Sequence, residues 1–238
     1  MIIKEAIILA GGLGTRLRSA VPELPKCMAP VGGRPFIQYV TEYFRRAGVE
    51  HFIFALGYKS EFFDAFFATV FPQGGYSVSL EQEPLGTGGA IRQACTLART
   101  GTVLILNGDT FFGINLAALS VFHEAKDADC SLCLKPMHNF DRFGVVELDE
   151  RDRVISFREK QYYTLGLING GVYALNVPRF LKEELPEKFS FEKEYLEKKE
   201  SLEKGGRRLY GIIQNNYFID IGIPGDYRRV QDEINQLL

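Results

Sequence analysis

The sequence predicts an α/β fold in one domain, and three observations carry that prediction. In the first half, strand-like apolar runs alternate with segments of helical period, the pattern of strands covered by helices. In the second half, strand-like runs follow one another with little helix between them, so the sheet is extended there in an antiparallel or mixed sense. No Pro/Ser-rich linker, repeat or low-complexity stretch separates the halves, so the 238 residues are read as one unit.

The elements follow in order. Glu5 to Leu9 is an apolar strand that runs into the turn Gly11-Gly12-Leu13-Gly14. From Phe36 to Ala47 apolar residues recur at helical spacing, and Gly48 stops the helix. His51 to Leu56 is the next strand, followed by a phenylalanine-rich helix from Ser60 to about Ala68 and a shorter strand from Tyr76 to Leu80. Thr87 is placed to cap a helix running to about Ala98. Thr102 to Leu106 is apolar throughout and belongs in mid-sheet. Ser131–Leu134, Gly144–Leu148, Val154–Arg158 and Asn169–Leu175 are the strands of the second half. A charged helix is expected from Phe191 to Lys204, with Phe191, Tyr195 and Leu202 facing inward. A closing helix is expected from Pro224 to Leu238, with Pro in its first turn.

Composition narrows the function. With 46% hydrophobic and 24% charged residues the chain can bury an ordinary core, and a net charge of −2 argues against a nucleic-acid-coating protein. No apolar run approaches the length of a membrane span, and the opening MIIKEAIILAGG has neither a basic n-region nor a cleavage site, so a cytoplasmic protein is expected. Cys27, Cys95, Cys130 and Cys133 lack the second ligand pair of a zinc site and are read as core thiols. Cys130 and Cys133, three apart on a strand, point to opposite faces of the sheet. His51, His123 and His138 have no partners at metal or triad spacing and are read as structural or surface residues.

The chemistry concentrates in residues 10–30, AGGLGTRLRSAVPELPKCMAP. A strand feeding a glycine turn lets backbone N–H groups approach phosphate oxygens, and Arg16 and Lys26 add positive charge. The Walker Gly-Lys-Ser/Thr is absent, and Leu17 stands where a dinucleotide fingerprint needs its third glycine. Asp109, in LNGDT, closes a strand at its carboxyl end, where open α/β sheets bind ligands.

Residue for residue, Gly11, Gly12, Gly14, Thr15, Arg16, Leu17, Pro25 and Lys26 resemble the G-G-x-G-T-R-L…P-K signature of the sugar-1-phosphate nucleotidyltransferases. The resemblance implies a Rossmann-like three-layer αβα sandwich with a mixed central sheet. It also implies a nucleotide-binding half at 1–125 and a sugar-phosphate-binding half at 126–238. It places Leu9, Ala10, Gly11, Gly12, Gly14 and Thr15 against the nucleotide, with Gly86 and Thr87 of EPLGTGGAI at the base. Asp109 and, in FIDIGIP, Asp220 would hold Mg²⁺, with Asp109 also facing the nucleotide. Gly144, Glu159, Lys160 and Asn169 would meet the sugar phosphate, and Gly170 and Gly171 would make room. The implied reaction is in-line attack of a sugar 1-phosphate oxygen on the α-phosphorus of a nucleoside triphosphate, releasing pyrophosphate. Arg16 and Lys26 would be the catalytic cations. A phosphate monoester is already ionised at neutral pH, so no general base is needed.

The base and the sugar are finer questions. Glu81 stands where the family's uridylyl- and thymidylyltransferases resemble one another in placing glutamine. A carboxylate can accept both adjacent donors of guanine, so GTP is the expected nucleotide. FEKEYLEKKESLEK, PKCMAPVGGRPF and a length too short for a C-terminal β-helix domain resemble the heptose 1-phosphate guanylyltransferases, which act on D-glycero-α-D-manno-heptose 1-phosphate. Cys27 departs from the family, which commonly has Pro after the lysine. Mannose 1-phosphate guanylyl transfer and uridylyl or thymidylyl transfer stay open, as does a homo-oligomeric state. A catalytically silent subunit that senses nucleotide sugars is disfavoured, because Arg16, Lys26, Asp109 and Asp220 are all present. A nicotinamide oxidoreductase is disfavoured by Leu17 and by the pairing of Arg16 with Lys26.

Overall fold

The computed structural model describes residues 2–12, 21, 23–57, 59–198, 202–203 and 206–237. Strands β1 (Glu5–Leu9), β4 (His51–Leu56), β5 (Tyr76–Leu80) and β6 (Thr102–Asn107) are parallel, in the spatial order β6-β1-β4-β5. β11 (Tyr163–Asn176) joins β6 in the antiparallel sense, and β8 (Cys130–Phe140) pairs antiparallel with β11. β12 (Leu209–Ile213) lies parallel to β8, while β9 (Val145–Leu148) and β10 (Val154–Arg158) continue from the other end of β11. The result is a nine-stranded mixed sheet, as the strand-rich second half predicts. The chain leaves β1 toward β4 on one side and receives β6 on the other, so the strand order reverses at β1. That reversal opens a crevice at the carboxyl ends of β1 and β6, the place where such sheets take ligands.

Two apolar layers sandwich the sheet, because strand residues alternate between its faces. Ala6, Ile8, Phe52, Phe54 and Leu106 pack under α1 (Phe36–Ala47), α2 (Asp64–Val70), α4 (Leu116–Ala125) and α6 (Pro224–Asp232). Ile7, Ile53, Val103 and Ile105 pack under α3 (Gly86–Cys95), α5 (Val177–Phe180) and a π-wound turn at Phe191–Leu196. Cys133 joins the first layer and Cys130 the second, so the two thiols do face opposite ways and both are buried. Two ribbons complete the fold: β2 (Pro30–Val31) with β3 (Arg34–Pro35), and β7 (Thr110–Phe112) with β13 (Phe218–Asp220). Among the described residues, no helix is long and apolar enough to cross a membrane.

Several boundaries differ from the sequence expectation for identifiable reasons. The helix expected from Ser60 opens as a 3₁₀ turn, Ser60–Phe63, before α2 begins. Thr87 does not cap α3. It lies inside the first turn, and its hydroxyl bonds away from the helix. α3 also ends at Cys95, short of Ala98. β8 and β11 extend well beyond their apolar cores, since the stretch Lys135 to His138 pairs with Leu165 to Ile168 through backbone bonds that side-chain hydropathy does not report. α4, capped by Asn115 accepting from the Ala118 N–H at 3.0 Å, was not expected. Of the helix expected from Phe191 to Lys204, residues Phe191–Leu196 form a π-wound turn, and residues 199–201 and 204 lie outside the described residues. Phe191 and Tyr195 are buried as expected, and Leu202 is half-buried on the same core. The last helix stops at Asp232, and a 3₁₀ turn at Ile234–Gln236 follows. His51 and His123 are buried structural groups, bonded to Glu5 and Ser131 respectively, while His138 is exposed.

Candidate active site

Three features draw charged groups into the crevice. At the end of β6 the Gly108 N–H donates to the Leu9 carbonyl at 2.9 Å, and a Cβ on Gly108 would stand 2.8 Å from that oxygen. Only glycine lets the ends of β6 and β1 close this tightly, and Asp109 follows at once. The β7–β13 ribbon pairs Asp220 with Thr110, and the Ile221 N–H donates to the Asp109 carbonyl at 3.0 Å, so the two aspartates become neighbours. A 3₁₀ turn at Lys26–Met28 then delivers the Lys26 ammonium, which donates to Asp109 Oδ2 and, at 3.4 Å, to Asp220 Oδ1.

The charge balance of this trio is uneven. Burial and the Asp109 carboxylate push the Asp220 carboxyl up, against the pull of Lys26 and of the Gly222 N–H, which donates to Asp220 Oδ1 at 2.7 Å. A Cβ on Gly222 would meet both Asp220 Oδ1 and Lys26 Nζ at 2.7 Å, so a side chain here would displace the ammonium or the carboxylate from this arrangement. Burial and Asp109 raise the neighbouring Cys27 thiol well above its usual range, which makes it an inert packing group. Among the described residues no group of three or more His, Cys, Asp or Glu gathers as a metal cage. Two hard oxygen donors sharing too little positive charge fit a divalent cation that takes its remaining ligands from phosphate and water.

Around the trio the crevice is a run of three connected cavities. The central one, about 300 Å³, is lined by Leu9, Ala10, Gly12, Lys26, Asp109 and Gly222 among others. It shares Leu9, Gly12 and Thr87 with a cavity of about 500 Å³ walled by Glu81 and Gly86. It shares Asn107 and Glu192 with one of about 540 Å³ that holds Gly144, Glu159, Lys160, Asn169 and Asp220. The structure thus brings Leu9, Ala10, Gly11, Gly12, Lys26, Glu81, Gly86, Thr87, Asp109, Gly144, Glu159, Lys160, Asn169 and Asp220 to one cleft. Gly14, Thr15, Arg16 and Leu17 lie outside the described residues.

Local geometry refines several of these. Glu81 directly follows β5 with its N–H on the Leu56 carbonyl, and its Oε2 accepts the Leu85 N–H at 2.9 Å, which fixes the carboxylate on the cavity wall. Gly86, Gly88 and Gly89 face the 187–189 segment. A Cβ would stand 2.5 Å from the Phe189 carbonyl at Gly86, 2.1 Å from the Phe189 ring at Gly88, and 2.5 Å from the Glu187 carbonyl at Gly89. In this structure the glycines of GTGG therefore make room for another stretch of the chain. At Asn169 the β11–β8 register slips, and Gly171 takes φ +70°. This bulge aims the Asn169 amide at its own strand: Oδ1 accepts the Gly171 N–H at 3.1 Å, and Nδ2 donates to the Tyr173 hydroxyl at 2.9 Å.

Asn107, Tyr173, Glu192, Lys193 and Glu197 line the cleft and were not singled out from the sequence. Asn107 sits in LNGDT two residues before Asp109, so that strand end carried a signal. Glu192, Lys193 and Glu197 fall in the charged run that opens at Phe191: Lys193 and Glu197 are exposed at the cleft's rim, as a charged helix face predicts, and Glu192 is half-buried. Partial desolvation, then Glu192 and Glu159, raise the Glu197 carboxyl above its usual range.

A mixed αβα sandwich with paired aspartates and a lysine at the sheet's switch point defines a class of phosphate-handling enzymes, and the comparisons specify it. The nucleotidyl transferase family model matches residues 5–236, and the chain belongs to that family. It is 47% identical, over 98% of this chain and 100% of the relative, to a D-glycero-α-D-manno-heptose 1-phosphate guanylyltransferase of Aneurinibacillus thermoaerophilus. The Campylobacter jejuni protein of the same name is 44% identical over 94% of this chain and 96% of its own. Among solved structures, HddC from Yersinia pseudotuberculosis complexed with GMP-PN superposes with a TM-score of 0.84 at 32% identity, covering 98% of this chain and 100% of that one.

Proposed function

We propose that the protein transfers GMP from GTP to D-glycero-α-D-manno-heptose 1-phosphate, giving GDP-heptose and pyrophosphate. The observation that carries the reading is the Asp109–Lys26–Asp220 trio at the junction of two cavities, one suited to each substrate. Near-full-length similarity to heptose 1-phosphate guanylyltransferases supports the particular sugar and nucleotide. The Glu81 cavity receives the base, the central cavity the phosphates, and the Lys160 cavity the sugar phosphate. The two halves interleave at the cleft: the central cavity takes Glu192 and Gly222 from the second half, and the Lys160 cavity takes Asn107 and Thr110 from the first.

Catalysis on this reading is positioning and charge neutralisation. Lys26 offsets repulsion where the triphosphate enters, and Lys160 does so for the incoming sugar phosphate. Arg16, carried over by resemblance, follows the charge that grows on pyrophosphate. Asp109 and Asp220 would hold a divalent metal, Mg²⁺, which neutralises phosphate charge when bound. Asn169, locked by Gly171 and Tyr173, presents a preset wall to the sugar instead of a mobile amide.

A matrix of GTP, ATP, CTP, UTP and dTTP against heptose, mannose and glucose 1-phosphates, scored by pyrophosphate release, tests the reading. GTP with the heptose phosphate should give the highest kcat/KM, and a higher value for another pair would replace the assignment. Within the same matrix, Glu81→Gln should weaken GTP use by roughly tenfold, since a lost charge-assisted bond costs about 1–3 kcal/mol. An unchanged GTP preference in that variant would remove Glu81 as the base reader.

A further inference from the structure

Glu192 lines both the central and the Lys160 cavities, and a chain of hydrogen bonds holds it there. The Thr87 hydroxyl accepts the Phe191 N–H at 2.8 Å, so its own proton is free for Glu192 Oε2, also at 2.8 Å. The Ser190 hydroxyl accepts the Lys193 N–H at 3.2 Å and gives its proton to the same oxygen at 3.1 Å. With both hydroxyl protons committed, Oε2 has its two donors, and Oε1 is the oxygen left for a donor from the cleft. The surrounding segment is stitched to the start of α3: the Phe189 N–H donates to the Leu85 carbonyl at 3.0 Å, and the Gly88 N–H to the Phe189 carbonyl at 2.9 Å. The Cβ-free faces of Gly86, Gly88 and Gly89 let this strap lie flat. Ser190 caps the π-wound turn, and Glu194 reaches back to the Ser190 N–H at 2.7 Å, so the backbone under Glu192 is set as well.

We propose that Glu192 binds a hydroxyl of the sugar substrate through Oε1, and that Thr87 is a positioning residue that orients it from the nucleotide side of the cleft. The proposal rests on the sugar-phosphate reading of the Lys160 cavity. A carboxylate repels phosphate but accepts strongly from a hydroxyl, so the sugar ring is the part of the ligand it suits. Thr87 itself lines only the central and Glu81 cavities, so any effect it has on the sugar must pass through Glu192.

Steady-state kinetics with GTP and D-glycero-α-D-manno-heptose 1-phosphate test this. Glu192→Gln keeps an acceptor for both hydroxyls but can turn an NH₂ toward the cleft, and it should raise the KM of the sugar phosphate about tenfold. Thr87→Val should raise the same KM by a similar factor, and Thr87→Ser should restore it. The double variant should be no worse than the worse single, because coupled residues are non-additive. Multiplying effects, or a Thr87→Val change confined to the KM of GTP, would overturn the proposal. If Thr87→Val fails to fold, Glu192→Gln decides alone, and an unchanged sugar KM refutes it. A wild-type enzyme that turns over no sugar 1-phosphate would overturn the proposed function, and this inference with it.

Discussion

At the residue scale the site is a problem of charge at close quarters. Asp109 and Asp220 share one ammonium, and burial and the Asp109 charge raise the Asp220 carboxyl. Asp220→Asn removes a half-buried carboxylate from beside another, so its thermal midpoint should match or exceed that of the wild type. Its kcat should fall at least about a hundredfold, since metal-held charge stabilisation is worth several kcal/mol. Wild-type turnover in Asp220→Asn would refute the metal assignment. Both aspartates, and Lys26 with them, were legible because each lies in a short motif at a strand end or glycine turn. Glu192 was not, because a glutamate in a run of Glu and Lys reads as solvated until something folds over it. Thr87 was found but given the wrong job: its hydroxyl serves the strap and leaves the α3 terminus uncapped.

At the element scale, β1, β4 and β5 and the first helix matched their expected bounds, since each is set by local hydropathy and by a stop such as Gly48 at φ +115°. Their mutual placement relies on a buried carboxylate. Glu5, on β1, accepts from His51 at 2.8 Å, from the Arg99 and Thr100 N–H groups at 2.7 and 2.6 Å, and from the Thr100 hydroxyl at 2.7 Å. Burial pushes its carboxyl up, but these bonds outweigh that effect and hold it below the usual range. A carboxyl with a lowered folded pKa stabilises above its unfolded value, and that contribution is lost as the pH falls through the folded one. Glu5→Gln should therefore cost about 2 kcal/mol near neutral pH, a Tm roughly 4–8 °C lower. The difference should shrink as the pH drops below about 4.3, the ordinary value for glutamate, and on through Glu5's lowered one. A gap that held constant into acid would show that Glu5's charge is not what stabilises this junction.

At the scale of the whole molecule, the cleft is assembled from both ends of the chain. The central cavity needs Leu9 and Lys26 from one end and Glu192 and Gly222 from the other, so a ligand there binds only the folded protein. GTP with Mg²⁺ at a hundred times its Kd should stabilise by about 2.7 kcal/mol, a Tm rise of roughly 5–10 °C. Lys26→Met should lose most of that rise, and a full shift in the variant would remove Lys26 from the phosphate site. Thermal unfolding with and without nucleotide measures both.

The amino-acid order by itself determined the α/β class, the mid-sheet place of β6, the opposite facing of Cys130 and Cys133, and the motif positions of Lys26, Asp109 and Asp220. Each depends on local periodicity or on a short-range steric need, and both are written within a few residues. Only the tertiary structure decided that Lys26 bridges the two aspartates and that the GTGG glycines receive the Phe189 strap. It alone decided that Glu192 stands between two cavities, and that the outer arms of β8 and β11 are strands. Those features come from contacts between segments distant in sequence, where backbone pairing and Cβ-free surfaces act and side-chain hydropathy carries no record of them.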